Sequence, residues 1–174
     1  MHRYVHAIAL CVLALAALCP AFAGEAEDLR LVPFPKEVQR SDGCFPVADT
    51  MHLQFSRSVK SGAVQTLLDS LQKSGMKTPA IAVSEDNGKV FRISVKQGGA
   101  FPTFTFRKGA AEEDYILQIR PNEITAGSPG DAGLLHAVQT LRQLLRANCT
   151  DGALPCLTIR DWPSLRWRAF QDDI

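Results

Sequence analysis

Two stretches of the chain repeat apolar residues at helical spacing. The first runs from about Val59 to Ser74, and Gly75 follows it as a C-terminal stop. In the second, Ser128 can cap the helix, Pro129 suits its first position, and Asp131 completes a Ser-x-x-Asp box. One apolar stripe then follows, formed by Leu134, Ala137, Val138, Leu141, Leu144 and Leu145. The pattern predicts two amphipathic helices. The opposite face of the second helix carries polar residues, including Gln143, and is interpreted as solvated.

Between and after these helices, short β-rich runs predict strands. They are His52–Ser56, Ala80–Ser84, Lys89–Val95, Tyr115–Ile119, Glu123–Ala126 and Leu157–Ile159. Asn87-Gly88 predicts a hairpin between the second and third runs, and Pro121-Asn122 predicts another between the fourth and fifth. Strands with one early and one late helix indicate an α+β fold: a small antiparallel or mixed sheet with two helices packed on one face.

The composition is that of a folded globular protein. The 174 residues are 46% hydrophobic and 21% charged, which excludes disordered and fibrous classes. The formal net charge is +1, and no run of Lys or Arg occurs. Without a basic patch in the sequence, we expect neither a nucleic acid nor an anionic membrane as a partner.

The first 23 residues have the pattern of a secretory signal peptide. Arg3 precedes an apolar stretch, and Ala21-Phe22-Ala23 offers a small-x-small cleavage site before Gly24. An uncleaved membrane anchor is the alternative, but the apolar stretch is short for a span of about 20 residues. We therefore expect a secreted or periplasmic protein.

Three cysteines remain after such a cleavage: Cys44, Cys149 and Cys156. Cys149 and Cys156 flank a short connection and could close a small disulfide loop in an oxidising compartment, although spacing alone cannot establish the geometry. An odd number leaves at least one thiol without a partner in the chain. The segment Asn148-Cys149-Thr150 is formally an acceptor for N-glycosylation.

The residues alone display no active site. Nucleophile-elbow and phosphate-binding motifs do not occur in the sequence, and no Cys or His spacing is typical of a metal site, so we expect neither a metal nor a cofactor. Acidic pairs occur, and we interpret three of them as solvated charges: Glu27-Asp28, Glu85-Asp86 and Glu113-Asp114.

Several ordered segments nevertheless resemble one known family. They are Leu31–Val38, Tyr115–Ile119, Ile124–Gly127, Asp131–Leu145, Ile159–Pro163 and the pair Trp167-Arg168. Together they resemble the N-terminal domain of the β-N-acetylhexosaminidases of glycoside hydrolase family twenty and its passage into the catalytic barrel. After the signal peptide that the N-terminal pattern predicts over residues 1–23, the resemblance implies a non-catalytic α+β domain over 24–163 and the start of a truncated (β/α)₈ barrel over 164–174.

The resemblance also implies an activity for the full-length protein. Members of the family hydrolyse terminal β-linked N-acetylhexosamine from glycans by a substrate-assisted retaining mechanism, with an adjacent Asp-Glu pair in the barrel. This chain contains no Asp-Glu dipeptide, so we expect it to be inactive alone and to pair with its own catalytic barrel. Arg168 matches an arginine that binds sugar hydroxyls in the family, although an ion pair with a nearby carboxylate is its structural alternative. A self-standing carbohydrate-binding or partner-docking module is the alternative function.

Overall fold

The computed structural model describes residues 28–47, 52–56, 61–73, 80–84, 91–96 and 104–164. Its elements follow the chain in this order: β1 (Glu37–Pro46), β2 (His52–Ser56), α1 (Ser61–Lys73), β3 (Ala80–Ser84), β4 (Phe91–Lys96), β5 (Tyr115–Arg120), β6 (Glu123–Ser128), α2 (Asp131–Ala147) and β7 (Ala153–Asp161). All of the predicted runs therefore form elements of the predicted type.

One mixed sheet joins the seven strands. Their order is β1-β7-β5-β6-β4-β2-β3, and every neighbouring pair is antiparallel except β2 and β3. Parallel neighbours need a crossover connection, which here contains α1. The predicted α+β class, a mixed sheet with two helices, is confirmed.

A single core fills the space between the helices and one face of the sheet. Leu67 and Leu71 of α1, Leu134 and Leu141 of α2, and Leu117 of β5 are all at most 2% exposed and belong to one apolar cluster. The helical periodicity read from the sequence thus corresponds to the buried faces of both helices. Among the described residues, no helix has both the length and the apolar character that crossing a membrane requires.

One predicted hairpin is confirmed and the other is wrong. Strands β5 and β6 pair antiparallel with Arg120 opposite Glu123, so Pro121-Asn122 forms the two-residue connection. Strands β3 and β4 do not pair with each other, because β2 lies between them and bonds to both. A turn signal is local, whereas the place of β2 is decided by contacts distant in sequence. Residues 85–90, which contain the predicted turn, lie outside the described residues.

The start of α2 also differs from the prediction. Its N-cap is Gly130, with no side-chain capping bond, and Ser128 is the last residue of β6. The buried Ser128 hydroxyl donates to the Asp114 carbonyl at 2.7 Å and accepts from the Gly130 N–H at 3.1 Å. Ser128 therefore ties the strand end to the preceding loop and does not cap the helix.

The disulfide considered between Cys149 and Cys156 is not formed, and both are free thiols. Cys149 packs against the core at the end of α2. Cys156 lies on β7 outside that cluster, with its sulfur 3.7 Å from the position a Cβ on Gly43 would take. Burial raises the pKa of both thiols.

Candidate functional site

A groove of about 470 Å³ lies where the chain enters and leaves the domain. Four parts of the molecule form it: the segment before β1, the start of β5 with Glu113 and Tyr115, one face of α2, and the end of β7 with the residues that follow it. Its lining includes Val32, Phe34, His136, Gln139, Trp162 and Pro163. The groove therefore combines an apolar rim with polar helix residues.

The entry segment, residues 28–36, is named the strap here. Leu29 and Leu31 are buried in the core, whereas Val32 is 80% exposed and Phe34 is 44% exposed. Between these two pairs the burial changes abruptly, because the three consecutive residues from Val32 to Phe34 are all exposed. The strap thus anchors itself inward and presents two large apolar side chains at the rim of the groove.

Two side-chain amides hold the strap, one on α2 and one directly after its last residue. The Gln143 Oε1 accepts from the Val32 N–H at 2.8 Å, and its Nε2 donates to the Val32 carbonyl at 3.0 Å. Beyond the end of α2, the Asn148 Oδ1 accepts from the Arg30 N–H at 3.0 Å. The interpretation of Gln143 as merely solvated is wrong, and helical periodicity gives no signal for such a contact.

At its other end, the strap is bonded to the last residue of β7 and to the segment that follows β7. The Lys36 N–H donates to the Asp161 Oδ1 at 3.2 Å, and the Lys36 ammonium donates to the Ser164 hydroxyl. These bonds bring the entry and the exit of the domain side by side at one end of the groove.

Beneath the rim, Tyr115 forms part of the groove floor and is only 4% exposed. Its hydroxyl lies 2.7 Å from the Thr140 Oγ1 and 3.5 Å from the Asp161 Oδ2. Burial raises the pKa of Tyr115 far above its ordinary value, the Asp161 carboxylate adds to the rise, and the hydrogen bond with Thr140 opposes it. The phenol is therefore neutral at physiological pH and serves as a structural hydrogen-bonding group.

Trp162, the aromatic residue of this lining directly after β7, is held by a contact with Arg107. The Arg107 guanidinium lies 5.2 Å from the centre of the Trp162 ring, which is within cation–π range. The same guanidinium bonds both oxygens of Asp114, at 2.7 Å and 3.2 Å. Asp114 is buried, so the interpretation of the Glu113-Asp114 pair as solvated is wrong for this residue. A second cavity of about 70 Å³ lies between Arg107, Phe106 and Trp162.

The groove has no sign of a metal centre in the part of the chain that the structure describes. Within the described ranges, no group of three or more His, Cys, Asp and Glu side chains is placed to hold a metal ion. Arg168 lies outside the described residues, so its role stays a prediction, as does that of the signal peptide over 1–23. The groove offers exposed apolar surface, from Val32 and Phe34, beside polar side chains of α2.

Comparison with known proteins matches this whole unit. Residues 28–162 match the family model described as glycosyl hydrolase family 20, domain 2. The match begins at the strap and ends at Trp162, so it includes every element of the sheet and both helices.

Relatives and solved structures agree with this match. A β-hexosaminidase of Porphyromonas gingivalis is 23% identical over an alignment of 188 residues, covering 100% of this chain and 23% of its own length. The chitobiase of Flavobacterium johnsoniae is 26% identical with a TM-score of 0.58, over 83% of this chain and 22% of the chitobiase. A β-N-acetylhexosaminidase of Bacteroides fragilis has the same fold, with 18% identity and a TM-score of 0.53, over 79% of this chain and 25% of its own. The chain thus spans about a quarter of the length of these relatives.

Proposed function

Since the chain belongs to glycosyl hydrolase family 20, whose domain 2 it contributes over residues 28–162, we propose that it is a non-catalytic module that docks onto a catalytic barrel. The groove is the docking surface, and the barrel is its occupant. In this proposal the module supports the barrel and does not carry out the chemistry.

The observation that carries the proposal is the position of the exposed apolar residues. Val32 and Phe34 stand at the groove rim, beside the point where the chain leaves the domain through Trp162. Covering what these two side chains still expose would contribute about 2–3 kcal/mol, since a fully buried side chain of this kind contributes about 1.5–3 kcal/mol. A domain that follows directly after Ser164 would reach this surface without a long linker.

For the full-length protein we propose hydrolysis of terminal β-linked N-acetylhexosamine by the substrate-assisted retaining mechanism. The names of the matched relatives support this: a β-hexosaminidase, a chitobiase and a β-N-acetylhexosaminidase. In this proposal Arg168 contributes its guanidinium to the sugar pocket. Residues 1–23 direct the protein across the cytoplasmic membrane, to the compartment that contains such glycans.

The activity is tested with a chromogenic N-acetyl-β-glucosaminide. The 174-residue chain should give no turnover, and the product of a reading frame extended through a barrel with an Asp-Glu pair should give turnover. Turnover by the 174-residue chain would contradict the proposal. Calorimetric titration of this chain with chitobiose should show no binding heat, and saturable binding would favour a self-standing carbohydrate-binding module.

The docking role is tested by stability. Val32→Ser should leave the stability of the isolated chain unchanged, because Val32 is mostly exposed there, and should destabilise the extended protein. Leu135→Ser is the matched control, because Leu135 is 37% exposed on α2 and does not line the groove. For each substitution, the loss of stability in the isolated chain is subtracted from the loss in the extended protein. The remaining loss should be larger for Val32→Ser than for Leu135→Ser, and equal remaining losses would contradict docking through the groove.

A further inference from the structure

The N-glycosylation acceptor Asn148-Cys149-Thr150 lies directly after α2, where the strap begins. Its sequence satisfies the Asn-x-Thr pattern, and a glycan would be attached through the Asn148 Nδ2. Sequence alone leaves open whether this nitrogen can react.

One polar atom of the Asn148 side chain is bonded within the fold, and the other is buried. The Oδ1 accepts the Arg30 N–H of the strap at 3.0 Å. The Nδ2 is buried, and among the described residues it has no hydrogen-bond partner. A nitrogen that is covered in this way cannot approach the anomeric carbon of a sugar donor.

The backbone on either side of the acceptor is also fixed. The Asn148 N–H donates to the Leu144 carbonyl at 2.8 Å and closes the end of the helix. Thr150 and Ala153 exchange two backbone bonds of 2.9 Å each, around a turn in which Asp151 and Gly152 have φ of 50° and 73°. The acceptor cannot lift from the surface unless the end of the helix or this turn opens.

From these contacts we propose that Asn148 is a positioning residue for the strap and that its acceptor sequence is closed in the folded domain. A glycan on the Nδ2 and the present contacts of Asn148 exclude each other, because a buried nitrogen has no room for a sugar and the same amide group holds the Arg30 N–H. A chain modified before folding would then lose the strap contacts that place Val32 at the groove. This inference rests on the contacts of Asn148 and does not depend on the proposed docking role.

The exclusion is tested by secreting the full chain from a eukaryotic host. Wild type is compared with Lys108→Asn/Ala110→Ser, which creates an acceptor in an exposed turn of the same chain, and with Thr150→Ala, which removes the acceptor but keeps Asn148. Mass spectrometry after glycosidase treatment should find the turn modified and Asn148 unmodified in folded wild type.

Hydrogen exchange at the Arg30 amide tests the exclusion if mass spectrometry finds some glycan on Asn148. If some wild-type chains carry a glycan on Asn148, their Arg30 amide should exchange as fast as in Asn148→Ala. We expect that variant to exchange about fivefold faster than Thr150→Ala, which corresponds to the loss of one hydrogen bond. A glycosylated chain with a fully protected Arg30 amide would overturn the exclusion, and an unchanged exchange rate in Asn148→Ala would overturn the positioning role.

Discussion

Gly133, in the first turn of α2, lies where the helix meets the loop before β5. A Cβ at this position would lie 2.3 Å from the Ser128 Oγ and 2.5 Å from the Asp114 carbonyl oxygen. Neither atom can move freely, because the Ser128 hydroxyl itself donates to that carbonyl and the Gly133 N–H donates to the Glu112 carbonyl at 3.0 Å. Gly133→Ala must therefore push the helix away from the loop.

The sign of the effect follows from two opposing contributions. Alanine in a helix is about 1 kcal/mol more favourable than glycine. Overpacking against fixed atoms costs about 3 kcal/mol at the upper end of its usual range, so Gly133→Ala should lose about 2 kcal/mol net. For a domain of this size that loss lowers the melting temperature by about 6 °C.

Gly62, in the first turn of α1, provides the matched control. A Cβ there meets no atom within 4 Å. Gly62→Ala should therefore stabilise by up to about 1 kcal/mol, because only the helix propensity changes. Urea unfolding of both variants, followed by circular dichroism, measures the difference. Gly133→Ala with at least the stability of wild type would contradict the close packing of helix and loop.

Three further predictions concern the groove and its support. Arg107→Ala should destabilise by about 1–2 kcal/mol, because it leaves the buried Asp114 without its cation while water can reach the vacated, half-exposed position. Arg107→Lys should recover part of the loss in urea unfolding. Full stability of Arg107→Ala would contradict the view that this ion pair supports the groove. Stability should fall as pH rises above about 10, because the Tyr115 phenol of the unfolded chain ionises there, whereas the folded one, with its raised pKa, stays protonated. Tyr115→Phe should remove this alkaline loss of stability. An unchanged pH profile of stability in Tyr115→Phe would contradict the assignment to Tyr115. Gln143→Ala should speed exchange of the Val32 amide about fivefold, the effect of one lost hydrogen bond, while an unaltered rate would mean that the amide does not hold the strap.

The sequence predicted most elements correctly because their signals are local. The apolar stripe of α2 and the Pro121-Asn122 hairpin depend on residues close together in the chain. Strand β1 was not predicted beyond the extended entry, because its polar and glycine-containing sequence, with a bulge between Arg40 and Cys44, lacks alternation. The order β4-β2-β3 likewise depends on pairing between distant segments.

The groove was harder to predict than the fold. Gln143 and Asn148 bond to strap residues more than one hundred positions away, and an exposed amide on a helix looks the same in sequence whether or not it has such a partner. Asp114 was interpreted as solvated for the same reason, since its partner Arg107 belongs to a loop without a pattern. The resemblance to the family indicated what the unit is, and the structure shows which residues meet.

The antiparallel pairing of β1 with β7 also has a mechanical consequence. Glu37 at the start of β1 lies opposite Arg160 near the end of β7, so the chain enters β1 and leaves β7 at the same end of this pair. A force that separates the two connections would open the hydrogen bonds one after another, like a zipper, because these bonds lie perpendicular to the strands. The bonds from Lys36 to Asp161 and Ser164 lie at the end of the strand pair where this opening would begin. Tension would have to break them before it could peel β1 from the sheet.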